Sequence, residues 1–193
     1  MPLPDPVASL AAVIWVLLPA FAANALATLP RGRGPPMDLG RRWPRDGRPI
    51  LGPSKTWSGF LCGSALGTLV GAAEAYVILL APPNLAVVPA FAPTWGGSLP
   101  IVALIATGAM IGDAAGSFLK RRWGRPSGSR TWLLDQFPFV LVPIGLGLAV
   151  APGLFVATFA SWEAVLWVVL LTLLLHAGFN WVGYKAGLKK VPW

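Results

Sequence analysis

Residues 99–122 read LPIVALIATGAMIGDAAGSFLKRR. The run is apolar, carries glycine at 108, 112 and 116, holds one acidic residue, Asp113, and ends in Lys120, Arg121 and Arg122. About 20 apolar residues in a helix cross a hydrocarbon core ~30 Å thick, so Leu99–Leu119 is a membrane span with a basic end. Four more stretches have the same character: Val7–Leu29, Trp57–Leu80, Phe137–Ala157 and Trp162–Tyr184. With 55% hydrophobic and only 11% charged residues, the chain does not have the composition of a soluble domain. The expected architecture is an all-α integral membrane protein of about five transmembrane helices, a single polytopic domain over 1–193.

All fifteen Lys and Arg residues fall in three clusters: Arg31 to Lys55, Lys120 to Arg130, and Lys185 with Lys189 and Lys190. Five crossings put every cluster on one side, and Lys and Arg accumulate in cytoplasmic loops. This predicts an outside N-terminus, a cytoplasmic C-terminus, and cytoplasmic loops at 30–56 and 120–136. A secretory signal requires a positively charged start; Asp5 precedes the first span and Arg31 follows it, so the span reads as an uncleaved helix. The lone Cys62 permits no internal disulfide. A net charge of +8 raises the question of nucleic acid. Topology and anionic lipid account for the basic loops, and no aromatic-basic recognition motif accompanies them.

The loop from Pro30 to Thr56 combines seven cations, two aspartates and six prolines. Proline and glycine restrict a loop to few shapes, and long loops of this kind are usually functional or disordered. Trp43 and Met37 favour a folded, functional loop over a coil lying on lipid. Glycine recurs every fourth residue at 59, 63, 67 and 71, and again at 108, 112 and 116. Such stripes let helix backbones approach closely in a membrane.

Asp113, Ser117 and Lys120 stand at i, i+4 and i+7, one face of a helix. An ionised carboxylate at that depth costs roughly 2.5–3.5 kcal/mol on insertion scales and requires a cation or metal beside it. Acid, hydroxyl and base on one stripe can hold Mg²⁺ with a polyphosphate; a buried Asp–Arg pair that only fixes packing is the alternative. Asp135 adds a second carboxylate if the turn brings it back beside Asp113, and Mg²⁺ is commonly held by one or two carboxylates plus substrate phosphates. Alone, Asp135 reads as a helix-capping residue. Residues 52–56, GPSKT, lack the order of a P-loop but open the second span, where free N–H groups, Ser54 and Lys55 suit a phosphate; capping by Ser54 is the plainer reading. Glu74 lies toward the far end of its span and is expected to reach only the interface. His176 and Asn180, four apart, could face the site, with packing the simpler role for His176.

These motifs resemble the CDP-archaeol synthase family. The resemblance rests on GPPMDLG at 34–40, DGR at 46–48, LGPSKTW at 51–57, GDAAGSFLKRR at 112–122, LDQ at 134–136, Asn180, and GLKKVPW at 187–193. It covers nearly the whole chain, with a more distant likeness to bacterial CDP-diacylglycerol synthases. The resemblance implies transfer of CMP from CTP to a membrane lipid phosphate, an archaeol-type glycerol phosphate or phosphatidate, with Mg²⁺ as cofactor. It assigns metal binding to Asp113 and Asp135, and CTP-phosphate contacts to Ser117, Lys120 and Arg121. Lys55 and Asp38 join the same cytoplasmic site, with Ser54, Arg122, Asp46 and Asn180 as further substrate contacts. The family's late motif has a second aspartate three residues after the first. That position is Pro138 here, which leaves the number of metal ions open, with Asp38 or Asp46 as replacement ligands.

The chemistry needs no general base, because a phosphate monoester has a second pKa near 6 and is already an anionic nucleophile at neutral pH. What it needs is cations to bring two polyanions together. The chief rival is a transporter or channel for a lipid or small anion, consistent with intramembrane charge; no internal repeat supports it. A CDP-alcohol phosphatidyltransferase calls for several spaced aspartates, which are missing. A purely structural membrane protein has no need of Asp113.

Overall fold

The computed structural model describes residues 5–82, 88–127, 129 and 131–188, apart from the side chains of Trp132 and His176. Arg130, Lys189, Lys190, the rest of the C-terminal motif and the His176 side chain therefore lie outside the described residues. Among the described residues the chain forms seven helices: α1 Pro6–Leu26, α2 Trp57–Leu80, α3 Trp95–Arg122, α4 Trp132–Gln136, α5 Pro138–Val150, α6 Pro152–Phe159 and α7 Trp162–Lys185. Of these, α1, α2, α3 and α7 are long and apolar enough to cross a membrane.

Local chemistry places the ends. Asp5, Thr56, Thr94 and Ser161 each accept a hydrogen bond from a first-turn backbone N–H of α1, α2, α3 and α7 in turn, filling donors a helix start leaves open. Capping by Ser54, the alternative to a phosphate contact, is not observed; Thr56 is the cap of α2. Helix α3 runs longer than expected at both ends. Thr94 starts it early, and Lys120, Arg121 and Arg122 sit in its last turn, where cations suit the helix dipole.

The fourth span, expected as one helix over 137–157, is broken. Ala151, at φ −133° and ψ 58°, separates α5 from α6, because the residue before a proline is pushed out of the helical region and Pro152 follows. The Phe155 ring of α6 then packs on Gly147 of α5, where any Cβ would strike it. Unbroken apolarity over 137–157 concealed the bend.

Helices α1 and α3 supply most of the buried apolar core, including Val13, Val16, Leu17 and Phe21 against Val102, Ile105 and Ala106. The first glycine stripe seats α2 on both. A Cβ at Gly67 would lie 2.6 Å from Ala23 Cβ and 3.0 Å from Ala106 Cβ, and one at Gly71 2.6 Å from Val102 Cβ. The second stripe seats α3 on the α4–α5 junction: Gly112 faces the Pro138 carbonyl and Gly116 the Leu134 carbonyl. Leu61, Leu69, Tyr76 and Val77 of α2, and Val165, Leu170, Leu174 and Trp181 of α7, stay exposed, an apolar surface of the kind a bilayer covers.

Close approach of α1 and α3 has a further effect. Glu74 does not reach an interface: it is 6% exposed, and neither carboxyl oxygen has a hydrogen-bond partner among the described residues. Burying an uncompensated polar group costs about 1–3 kcal/mol by mutational measures. Glu74→Gln should leave turnover unchanged, and Glu74→Leu should raise the detergent melting temperature by the equivalent of that cost. A lower melting temperature for Glu74→Leu would show that the carboxyl is compensated.

Candidate active site

The loop between α1 and α2 is folded. Met37 N donates to Lys55 O at 2.8 Å and Trp57 N to Pro35 O at 3.1 Å, while Trp43 N donates to Arg48 O at 2.7 Å. Asp38 is the organiser: its carboxylate accepts from Gly40 N at 3.0 Å, Leu51 N at 2.9 Å and Gly52 N at 2.8 Å. Gly52 makes this turn at φ +95°, a backbone region that side chains disfavour. Burial alone would raise the Asp38 carboxyl, but the N–H donors of Gly52, Leu51 and Gly40 outweigh it and hold the group below its ordinary value.

A carboxyl lowered on folding stabilises fully above its unfolded pKa, and the contribution disappears as pH falls through the folded value. The loop should therefore open only in acid below the ordinary carboxylate range. Asp38→Asn should open it at neutral pH, since an amide leaves N–H donors unmatched at about 1–3 kcal/mol. Hydrogen exchange at the Leu51 and Gly52 amides, followed against pH in both proteins, measures this; equal protection would refute it.

The folded loop docks on the basic end of α3. Arg122 Nη1 pairs with Asp46 at 2.8 Å, Nη2 donates to Pro49 O at 2.6 Å, and its guanidinium lies over the Trp43 and Phe118 rings. Arg48 Nη1 returns a bond to Arg122 O at 2.7 Å, and the hydroxyls of Ser54 and Ser127 meet at 3.3 Å. The described members of the basic clusters thus gather at one end of the bundle.

Beneath the loop is a cavity of about 380 Å³. Asp113, Ser117 and Lys120 all line it, the face their spacing predicted, joined by Lys55, Asp135, Arg121 and Ser54. Lys55 Nζ stands 2.5 Å from Asp113 Oδ2. Lys120 donates to Asp135 Oδ1, and Thr131 N donates to Asp135 Oδ2 at 2.6 Å. Arg121 is buried, with Nη2 on Pro126 O at 3.0 Å. Asp113 and Asp135 are brought together by the glycine seat: α4 ends against Gly116, and Pro138 against Gly112.

Four expected contacts are placed elsewhere. Arg122 and Asp46 are spent on each other and Asp38 on the loop's own backbone, and none of the three lines the cavity. Asn180 is buried in α7, is not without a partner, and does not line the cavity. Arg122, Asp46 and Asp38 hold the loop that covers the cavity. Residues 24, 28 and 31 line the cavity unforeseen, as do Met37, Phe60 and Leu188. Asn24 had a readable signal, an isolated amide near the end of an apolar span; Arg31 was indistinguishable among the cations of its cluster.

Two carboxylates suit Mg²⁺, which leaves most of its octahedron to phosphates and water. Among the described residues no set of three or more His, Cys, Asp or Glu comes together, and Pro138 packs on α3; Asp113 and Asp135 are the carboxylates lining the cavity that could contribute to such a site. Each has a lysine partner.

Comparison with known proteins gives the family. A family model, CarS-like CDP-archaeol synthase, matches residues 7–193. CDP-archaeol synthase of Thermococcus gammatolerans is 39% identical over 180 residues, 93% of this chain and 94% of that one. The Methanospirillum hungatei enzyme of the same name is 41% identical over 177 residues, 92% of this chain and 100% of that one. A solved structure, described as an intramembrane enzyme for archaeal membrane lipid biosynthesis, superposes with a TM-score of 0.60 at 34% identity, covering 83% of this chain and 90% of that chain. The match runs through the cavity and the helices that frame it, and the chain belongs to the CDP-archaeol synthase family.

Proposed function

We propose that the protein transfers CMP from CTP to a membrane lipid phosphate, an archaeol-type glycerol phosphate, releasing pyrophosphate and a CDP-lipid. The observation that carries the reading is the cavity itself. Two carboxylates distant in sequence face one pocket with Lys55, Lys120 and Arg121, at the basic end of apolar helices. Family membership supplies the reaction class.

Lys55, Lys120 and Arg121 draw in the triphosphate, with Ser117 as a hydroxyl contact. A phosphate oxygen of the lipid forms a bond to the α-phosphorus of CTP. The bond from that phosphorus to the oxygen bridging to the β-phosphate breaks, and pyrophosphate leaves with the electron pair. The acceptor is already deprotonated near neutral pH, so no proton transfer is required. Asp113 and Asp135 would hold Mg²⁺, whose chemistry is to neutralise phosphate charge as pyrophosphate departs. The lysines, freed from the carboxylates, add fixed positive charge where charge accumulates.

Clustering of the cations supports a cytoplasmic site with an outside N-terminus. Purified protein in detergent, given labelled CTP, Mg²⁺ and a panel of prenyl-ether and acyl-ester phosphates, should form CDP-lipid, fastest with the prenyl ethers. Absence of product with every lipid would end this reading. Labelling that places Lys55 and Arg125 on opposite membrane sides would end the topology.

A further inference from the structure

Both substrates are polyanions, and they must approach from different sides for one to displace part of the other. Among the described residues, the cations lining the cavity are Arg31, Lys55, Lys120 and Arg121. Lys55 and Lys120 are joined to Asp113 and Asp135, and Arg121 is buried and bonded to Pro126 O. These come from the α3 side and the start of α2. Arg31 stands apart: it belongs to the turn that ends α1, is exposed, and its guanidinium has no partner among the described residues.

We propose that Arg31 receives the phosphate of the incoming lipid, leaving the aspartate-paired cations to the triphosphate of CTP. This rests on the cytidylyltransferase reading above. Among the described residues, the lining contributed by the end of α1 and the turn after it carries no other cation. Asn24 of α1 and Ala27 and Thr28 of the turn after it line the cavity, as do Phe60, Met110 and Leu188, a lining suited to a glycerol ether more than to a nucleotide's phosphates. Beside it Leu29 is exposed.

The backbone agrees. Arg31 has φ +54° and Gly32 φ +69°, and a side chain held in the left-handed region persists where function retains it. A guanidinium offers a planar fork of donors to a phosphate, whereas an ammonium acts as a point charge.

The same backbone provides a clean test. Glycine adopts positive φ freely, so Arg31→Gly removes the guanidinium without straining the turn. Initial rates with wild type, Arg31→Gly and Arg31→Lys, varying CTP and the lipid phosphate separately, measure the split. Arg31→Gly should raise KM for the lipid phosphate by about 10–100-fold, the loss of one charge-assisted contact. KM for CTP, and CTP binding in the absence of lipid, should be unchanged, and Arg31→Lys should recover part of the loss. An unchanged lipid KM in a folded, active Arg31→Gly protein overturns the inference, as does a rise in KM for CTP instead. Either result leaves the enzymatic reading standing, because that reading fails only if wild type makes no CDP-lipid.

Discussion

Replacing Asp113 with Asn should lower CDP-lipid formation by about 10²-fold or more, the loss typical when one transition-state stabiliser is removed. Asp113 lines the cavity from α3, on the face it shares with Ser117 and Lys120, with Lys55 Nζ at 2.5 Å. An amide keeps the shape and removes the charge, so Lys55 loses its partner and a metal loses a ligand. The pair is partly exposed, at 23% for Lys55 and 30% for Asp113, so solvent screens its contribution to stability and the variant should remain folded. Asp135→Asn should behave alike, since Asp135 holds Lys120 in the same way. Initial rates with labelled CTP decide the matter. Near-normal turnover in Asp113→Asn would remove the carboxylate from the chemistry and leave it a packing residue.

A single uncharged methyl group should do comparable damage. In Gly112→Ala the new Cβ would strike the Pro138 carbonyl and lie 2.8 Å from Phe139 Cα. These are backbone atoms and cannot rotate aside. Helix α3 must then part from the α4–α5 junction, at an overpacking cost of about 1–3 kcal/mol or more. That junction carries Asp135, so its distance from Asp113 changes with it. Misplacing a reacting group by about 1 Å can cost about 10²-fold in rate, and a loss of about 10–100-fold is expected together with a lower melting temperature. Gly145→Ala is the control, because nothing lies within 4 Å of a Cβ there. Equal activity in the two alanine variants would show that the glycine seat does not set the site.

Much of this was legible in residue order alone. Helices α2 and α7 begin where tryptophan follows a capping hydroxyl, and the span boundaries fell within a few residues of those observed. Asp113, Ser117 and Lys120 share a face because helical spacing is a local property. Less legible were residues whose role depends on a partner distant in the chain. Asp38 looks like a ligand in a linear motif, yet three backbone N–H groups, two of them more than ten residues away, already claim its oxygens. Arg122 sits beside Arg121 in sequence, but the helix turns them about 100° apart. One lines the cavity and the other clamps the loop through Asp46 and Pro49.

Hydropathy and charge placement, read along the chain, determined that this is a helical membrane protein whose cations gather at one end, and its motifs named the family. Those properties survive in one dimension because bilayer thickness and helical period act on each segment separately. Tertiary structure alone decided the break at Ala151, the covering of Glu74, the diversion of Asp38, Asp46 and Arg122 into the loop, and the entry of Arg31 into the cavity wall. Each depends on how closely two helices or a helix and a loop approach. Glycine allows that approach, but only the packed partner determines what the gap brings together.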